Sequence, residues 1–197
     1  TPTMKNQKTL SIKTQYKSAF VYLKESKYQI LFITMLFIMS ILTGFLNADE
    51  LRIIDTLIQE IIDKTINLNT LELIFFIMQN NLQTSFLGFT SGILLGISPF
   101  IMTLFNGIII GYVIELAAET ASPLEILKAF IPHGIFELPA VLISLGLGLK
   151  FSGFIFAKDK AKELKNRFFN SMNVFLFIIL PLLIVAAVIE GLLIYVI

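Results

Sequence analysis

The run LELIFFIMQNNLQTSFLGFTSGILLGISPFIMTLFNGIIIGYVIEL, Leu71 to Leu116, decides the architecture. It extends over about 46 residues and is almost wholly apolar. One crossing of a hydrocarbon core roughly 30 Å thick takes only about 20 helical residues. The run must therefore fold back on itself, and its interruptions locate the pieces. The polar triplet Gln79-Asn80-Asn81 is expected to end a short helix that starts at Leu71 and reaches Met78. Leu82 to Ile97 then crosses inward, Ser98-Pro99 makes a tight turn, and Phe100 to Leu116 crosses outward. Pro99 fixes its own φ and disfavours helix at Ser98, which suits the tip of a hairpin.

The remaining chain extends the same pattern. Hydrophobic residues make up 56% of the 197, charged residues only 15%, and the mean hydropathy is +0.84, far too apolar for an ordinary soluble domain. The expected fold is all-α: a polytopic helical membrane protein with about five transmembrane helices and amphipathic interfacial helices. Spans are expected at residues 28–46, 82–97, 100–116, 127–149 and 172–195, all within one membrane domain, 28–197. The first is read as a retained anchor, because no small-residue cleavage site follows it. Pro123 suits the first turn of the helix after the short loop Glu119 to Ser122, and Pro132 and Pro139 are expected to kink or break the fourth span.

Charge sets the orientation. Residues 1–27 carry Lys5, Lys8, Lys13, Lys17, Lys24 and Lys27 against Glu25, with Ile12, Tyr16, Ala19, Phe20 and Leu23 at helical spacing. Residues 150–167 repeat the pattern with Lys150, Lys158, Lys160, Lys162, Lys165 and Arg167 and an apolar stripe of Phe154, Ala157, Ala161, Leu164 and Phe168. Both read as basic amphipathic segments on the cytoplasmic face, which places twelve of the 15 basic residues on one side. Residues 47–70 are acidic instead, and Ile53, Ile54, Leu57, Ile58, Ile61 and Ile62 form one apolar stripe there. That segment is expected outside, along the membrane face. The reading is a multi-pass cell-membrane protein with a cytoplasmic N-terminus and an external C-terminus.

The partners expected are the lipid bilayer, other proteins or a second copy of the chain. Nucleic acid is excluded by a net charge of +1 that leaves no free basic surface. With no cysteine there is no disulfide or thiolate metal site. No HExxH, GxSxG, Walker A or dinucleotide fingerprint occurs, so neither an enzyme nor a cofactor is expected.

Small residues line the spans at four-residue spacing: Gly88, Gly92 and Gly96, then Gly107 and Gly111, then Ala140, Ser144 and Gly148. Such stripes let helix backbones approach closely. Asn106, within the third span, needs a hydrogen-bond partner or a wet cavity. Pro132-His133-Gly134-Ile135-Phe136-Glu137-Leu138-Pro139-Ala140 places the sole histidine and a carboxylate four residues apart on one helix face. An ionisable pair in lipid is costly and marks a functional candidate. It reads as a structural polar cluster, as a proton or ion site, or as a metal site, although one histidine with one or two carboxylates falls short of a usual zinc set. Glu115 and Glu190 are possible further members.

This ordered set, Gly88-x3-Gly92-x3-Gly96, Asn106-Gly107-x3-Gly111 and Pro132-His133-Gly134-x2-Glu137-Leu138-Pro139-Ala140, resembles the stage II sporulation protein M family over roughly residues 75–150. The resemblance implies a multi-span helical protein with Asn106, Gly107, His133, Gly134, Glu137 and Pro139 at motif positions. It also implies a non-enzymatic scaffold that anchors peptidoglycan-degrading partners during engulfment in spore formation. Two other functions fit the residues: a small transporter or channel with Asn106, His133 and Glu137 on a polar path, and, more weakly, an intramembrane metal-dependent hydrolase.

Overall fold

The computed structural model describes residues 12–194; of residues 129, 130, 132, 133 and 190–194 it describes the helical backbone alone. Residues 1–11, the first part of the basic N-terminal segment, and 195–197 lie outside the described residues. Among the described residues eight α-helices follow one another: α1 (Ile12–Glu25), α2 (Lys27–Leu46), α3 (Ile54–Thr65), α4 (Thr70–Thr90), α5 (Ile97–Ala118), α6 (Pro123–Ser152), α7 (Lys160–Val174) and α8 (Leu180–Ile194). No strand occurs among the described residues. Among the described residues four segments are long and apolar enough to cross a membrane: Lys27–Leu46, Ile97–Ala118, Gly134–Phe156 and the joined Lys160–Ile189. The chain is an all-α polytopic membrane protein.

Helix α6 is the centre of the bundle, packing against α2, α4, α5 and α8. On one side Phe89, Ala140, Leu147, Phe175, Ile179 and Leu183 form the core between α4, α6 and α8, closed at its end by Ala19 and Tyr22 of α1. Phe89 stacks with Phe86 and Phe175 at ring separations of 5.4 and 5.6 Å. On the other side α2 and α5 are held backbone to backbone. A Cβ on Gly111 would overlap the Ile41 carbonyl, and one on Gly107 would lie 2.5 Å from the Ser40 Cβ. Gly44, on the facing side of α2, lies equally close to Ile108.

Helix starts follow local chemistry. Asn69 and Glu72 form a capping box at α4, with hydrogen bonds of 2.9 and 3.0 Å, and Ser122 and Glu125 form another at α6, where Pro123 occupies the first turn.

The turns fall elsewhere than the sequence suggests. Gln79-Asn80-Asn81 does not end a helix: α4 runs unbroken from Thr70 to Thr90, because an amide triplet removes no backbone donor and forces no unusual φ. The reversal lies at Ser91 to Gly96, where Leu95 and Gly96 take φ of 58° and 76°. Only Gly96 adopts that region without cost, and it caps α5. Ser98-Pro99 therefore belongs to the first turn of α5, where a missing N–H leaves nothing unsatisfied. Pro132 and Pro139 do not interrupt α6 either, consistent with the tolerance of proline in packed membrane helices. The basic helix after α6 is no separate loop: α7 passes through a π-helical turn, Phe175–Ile179, straight into α8.

Candidate functional site

Close contacts fix the relative heights of the helices. Gly146 lies against Ile30, Gly107 against Phe37 and Ser40, and the Ser144 hydroxyl donates to the Ser85 carbonyl. Counting along each helix from these rungs puts Asn106 of α5, Glu137 of α6 and Gln79 to Asn81 of α4 at one level. That level is about 20 Å from Lys150 along α6, well inside a bilayer.

Sharing a level is different from forming one site. The Asn106 side-chain amide donates to the Met102 carbonyl of its own helix at 2.7 Å. Glu137 is half-buried and has an interaction partner. The His133 backbone continues α6, one turn before Glu137; its side chain, like that of Glu190, lies outside the described residues. Among the described residues, no group of three or more His, Cys, Asp or Glu is placed to hold a metal ion.

The small residues divide into two kinds. Gly88, Gly92, Gly148 and Ser144 join α4 to α6: a Cβ on Gly92 would overlap the Gly148 carbonyl, and one on Gly88 would meet Ser144 and Leu145 at 3.3 Å. Ala140 is fully buried, and Gly96 adjoins Ser152 and Leu149. Gly134 differs, since among the described residues a Cβ there would touch only Leu138, at 3.4 Å, and Pro139 is exposed. These two motif residues are not in the packing seams.

Glu115 lies in another place. It faces a recess of about 120 Å³ at the end of α5, lined also by Asp49, Arg52, Asp55, Tyr112 and Glu119. The Tyr112 hydroxyl donates to the Asp55 carboxylate and ties α3 to the bundle. Arg52 pairs with Asp49 at 3.0 Å, which raises its pKa above the ordinary guanidinium value. Sequence reasoning missed Tyr112, because a tyrosine amid Ile108 to Leu116 carries no pattern until α3 is placed beside it. Helix α3 otherwise turns its stripe outward: Ile54 is buried and Ile58 packs beneath, but Ile53, Leu57, Ile61 and Ile62 are exposed.

The opposite end is basic and locked. Lys150 lies 3.6 Å from Glu25 and 3.9 Å from the centre of the Tyr22 ring. Arg167 bonds Glu163 at 2.7 Å and donates to the Lys150 carbonyl, beside Gly153. Asn173 donates to the Gln15 carbonyl at 3.0 Å, fastening α1 to α7. Burial raises the pKa of the Tyr22 phenol. The Ser91 to Gly96 turn lies at this same end, since Gly96 adjoins Ser152. The acidic segment with α3 lies at the other.

The family description Stage II sporulation protein M matches residues 33–193. An uncharacterized protein of Methanocaldococcus jannaschii is 36% identical over 129 residues, which cover 63% of this chain and 68% of that protein. No solved structure matches. With a family match across nearly the whole membrane bundle, and the glycine seams and the His133 to Pro139 motif inside it, the chain belongs to the stage II sporulation protein M family.

Proposed function

We propose that this protein is a non-enzymatic membrane scaffold that positions partner proteins at the bilayer, with the basic end in the cytoplasm and the acidic end outside. The observation that carries this reading is α3, an outer helix tethered through Asp55 and Tyr112 with Ile53, Leu57, Ile61 and Ile62 uncovered. A helix held in place with its apolar stripe turned outward is built to be covered by something else. The interior supports the same reading: backbone-to-backbone seams seal α2 against α5 and α4 against α6, and Asn106 is satisfied by its own helix. A conduit would instead leave such groups lining open space.

The test combines localisation and flux. A fluorescent fusion should concentrate at discrete membrane sites, and Leu57→Gln with Ile61→Gln should spread it evenly without reducing membrane insertion. Purified protein in liposomes should pass neither protons nor monovalent ions. A pH-dependent flux that disappears in His133→Leu with Glu137→Leu would replace the scaffold with a conduit.

A further inference from the structure

Helix α4 exposes three amides on one side: Gln79, Asn80 and Gln83 face out of the bundle, continuous with Phe86 and Leu87. None of the three makes a side-chain hydrogen bond within the described chain. They sit at the level of Glu137 and Asn106, on a helix packed against α6 and α8. Helix α4 is less apolar than the four crossing segments, yet it runs beside α6 and α8 from the α3 end to the Ser152 end, so its outward amides are level with the middle of those spans, where an amide with no partner costs free energy. Beside it, between α4 and the π-helical turn, runs a mainly apolar groove of about 410 Å³ lined by Leu82, Gln83, Phe86, Leu87 and Phe175.

We infer that this face is where a second copy of the chain docks, α4 against α4. A symmetric pair in a membrane has its two-fold axis along the bilayer normal, so each residue meets residues at its own depth on the partner. The surface must then be complementary to itself. Side-chain amides meet that demand because each both donates and accepts, whereas a carboxylate or an ammonium facing its own copy would repel it. Gln79 and Gln83 are one turn apart and would form a short ladder across the axis, as interhelical amide bonds do in membrane bundles. The groove alongside has room for an aromatic ring such as Phe86 from the partner. This inference does not depend on the scaffold reading.

The chain has no cysteine, so single cysteines report without background. Each residue from Phe75 to Thr90 would be replaced in turn, and the purified protein in phosphatidylcholine and phosphatidylglycerol vesicles oxidised with copper phenanthroline. Disulfide-linked dimers should peak at Gln79→Cys, Gln83→Cys and Phe86→Cys and fall at Ser85→Cys and Phe89→Cys, which face the core. Phe105→Cys, exposed on α5, should stay monomeric. Changing Gln79, Asn80 and Gln83 together to Leu should weaken association at least tenfold by dilution in vesicles, with the unfolding temperature of the monomer kept or raised. Three results would overturn the inference: no helical periodicity, stronger linkage at Phe105 than at Gln83, or linkage only in native membranes to a species of another mass. The last would mean that a different protein occupies the face.

Discussion

The hydroxyl of Tyr112 on α5 donates to the carboxylate of Asp55 on α3, and this bond joins the amphipathic acidic segment to a spanning helix. Tyr112 is only 1% exposed, and Asp55 covers its hydroxyl. Tyr112→Phe should therefore cost about 1.5–3 kcal/mol, the range for a hydrogen bond to a charged group. Limited proteolysis should cut near Arg52 faster in the variant while the spans stay intact. Unchanged cleavage would mean that Ala48 and Ile54 hold the segment by packing alone.

Glycines with similar sequence spacing should respond in opposite ways. Gly92→Ala and Gly44→Ala push a methyl into a neighbouring carbonyl, and each should lose about 3 kcal/mol and much of its folded yield in detergent. Among the described residues Gly134→Ala meets only Leu138, and it should hold or gain about 0.5–1 kcal/mol from better helix propensity. Thermal unfolding monitored by circular dichroism separates the two. If Gly134→Ala is stable but no longer localises, the glycine is kept for something other than packing.

The two ends of the bundle should lie on opposite sides of the membrane. Single cysteines at Lys160 and at Leu94, in the turn before α5, should resist an impermeant thiol reagent in intact cells, and one at Asp63 should react. Lys160 and Leu94 must behave alike, because Gly96 abuts Ser152. Labelling of Lys160 with protection of Asp63 would reverse the orientation.

Alkaline pH should loosen α1 first. Burial raises the folded-state pKa of Tyr22, while the phenol in the unfolded chain ionises near its ordinary value of 10.0. The unfolded state therefore releases this proton earlier. The stabilisation is whole below about pH 10 and is lost as pH rises from there through the raised folded value. Tyr22→Phe should flatten the alkaline limb of the stability curve, and ultraviolet difference titration should find one fewer late-ionising phenol in the variant than in the wild type.

Much of this fold is legible in the residues themselves. Apolar run length marks α2, α5 and the last span, and four-residue glycine spacing marks the seams, because both are local consequences of helix geometry. The hairpin tip was misplaced because Ser98-Pro99 is the stronger written signal, while the reversal depends on Gly96 reaching a positive φ, one property of glycine among several. Gln79-Asn80-Asn81 read as a break because amides are rare in lipid; the structure keeps them in helix and turns two of them outward. The candidate site was harder still. Asn106 and Glu137 do share a level, but hydrogen bonding to its own helix sets Asn106 apart, and only placing α3 beside α5 brings Tyr112 and Asp55 together.

The unbroken passage from α7 through the π-helical turn into α8 makes Lys160 to Ile194 a single rod. At about 1.5 Å per residue it is roughly 50 Å long, well beyond the roughly 30 Å of hydrocarbon. One end must stand clear of the lipid, and α1 is strapped to that protruding length through Gln15 and Asn173. A neighbour gripping this post would act on the bundle interior as a lever acts on its pivot, with Phe175 at the fulcrum against Phe86 and Phe89.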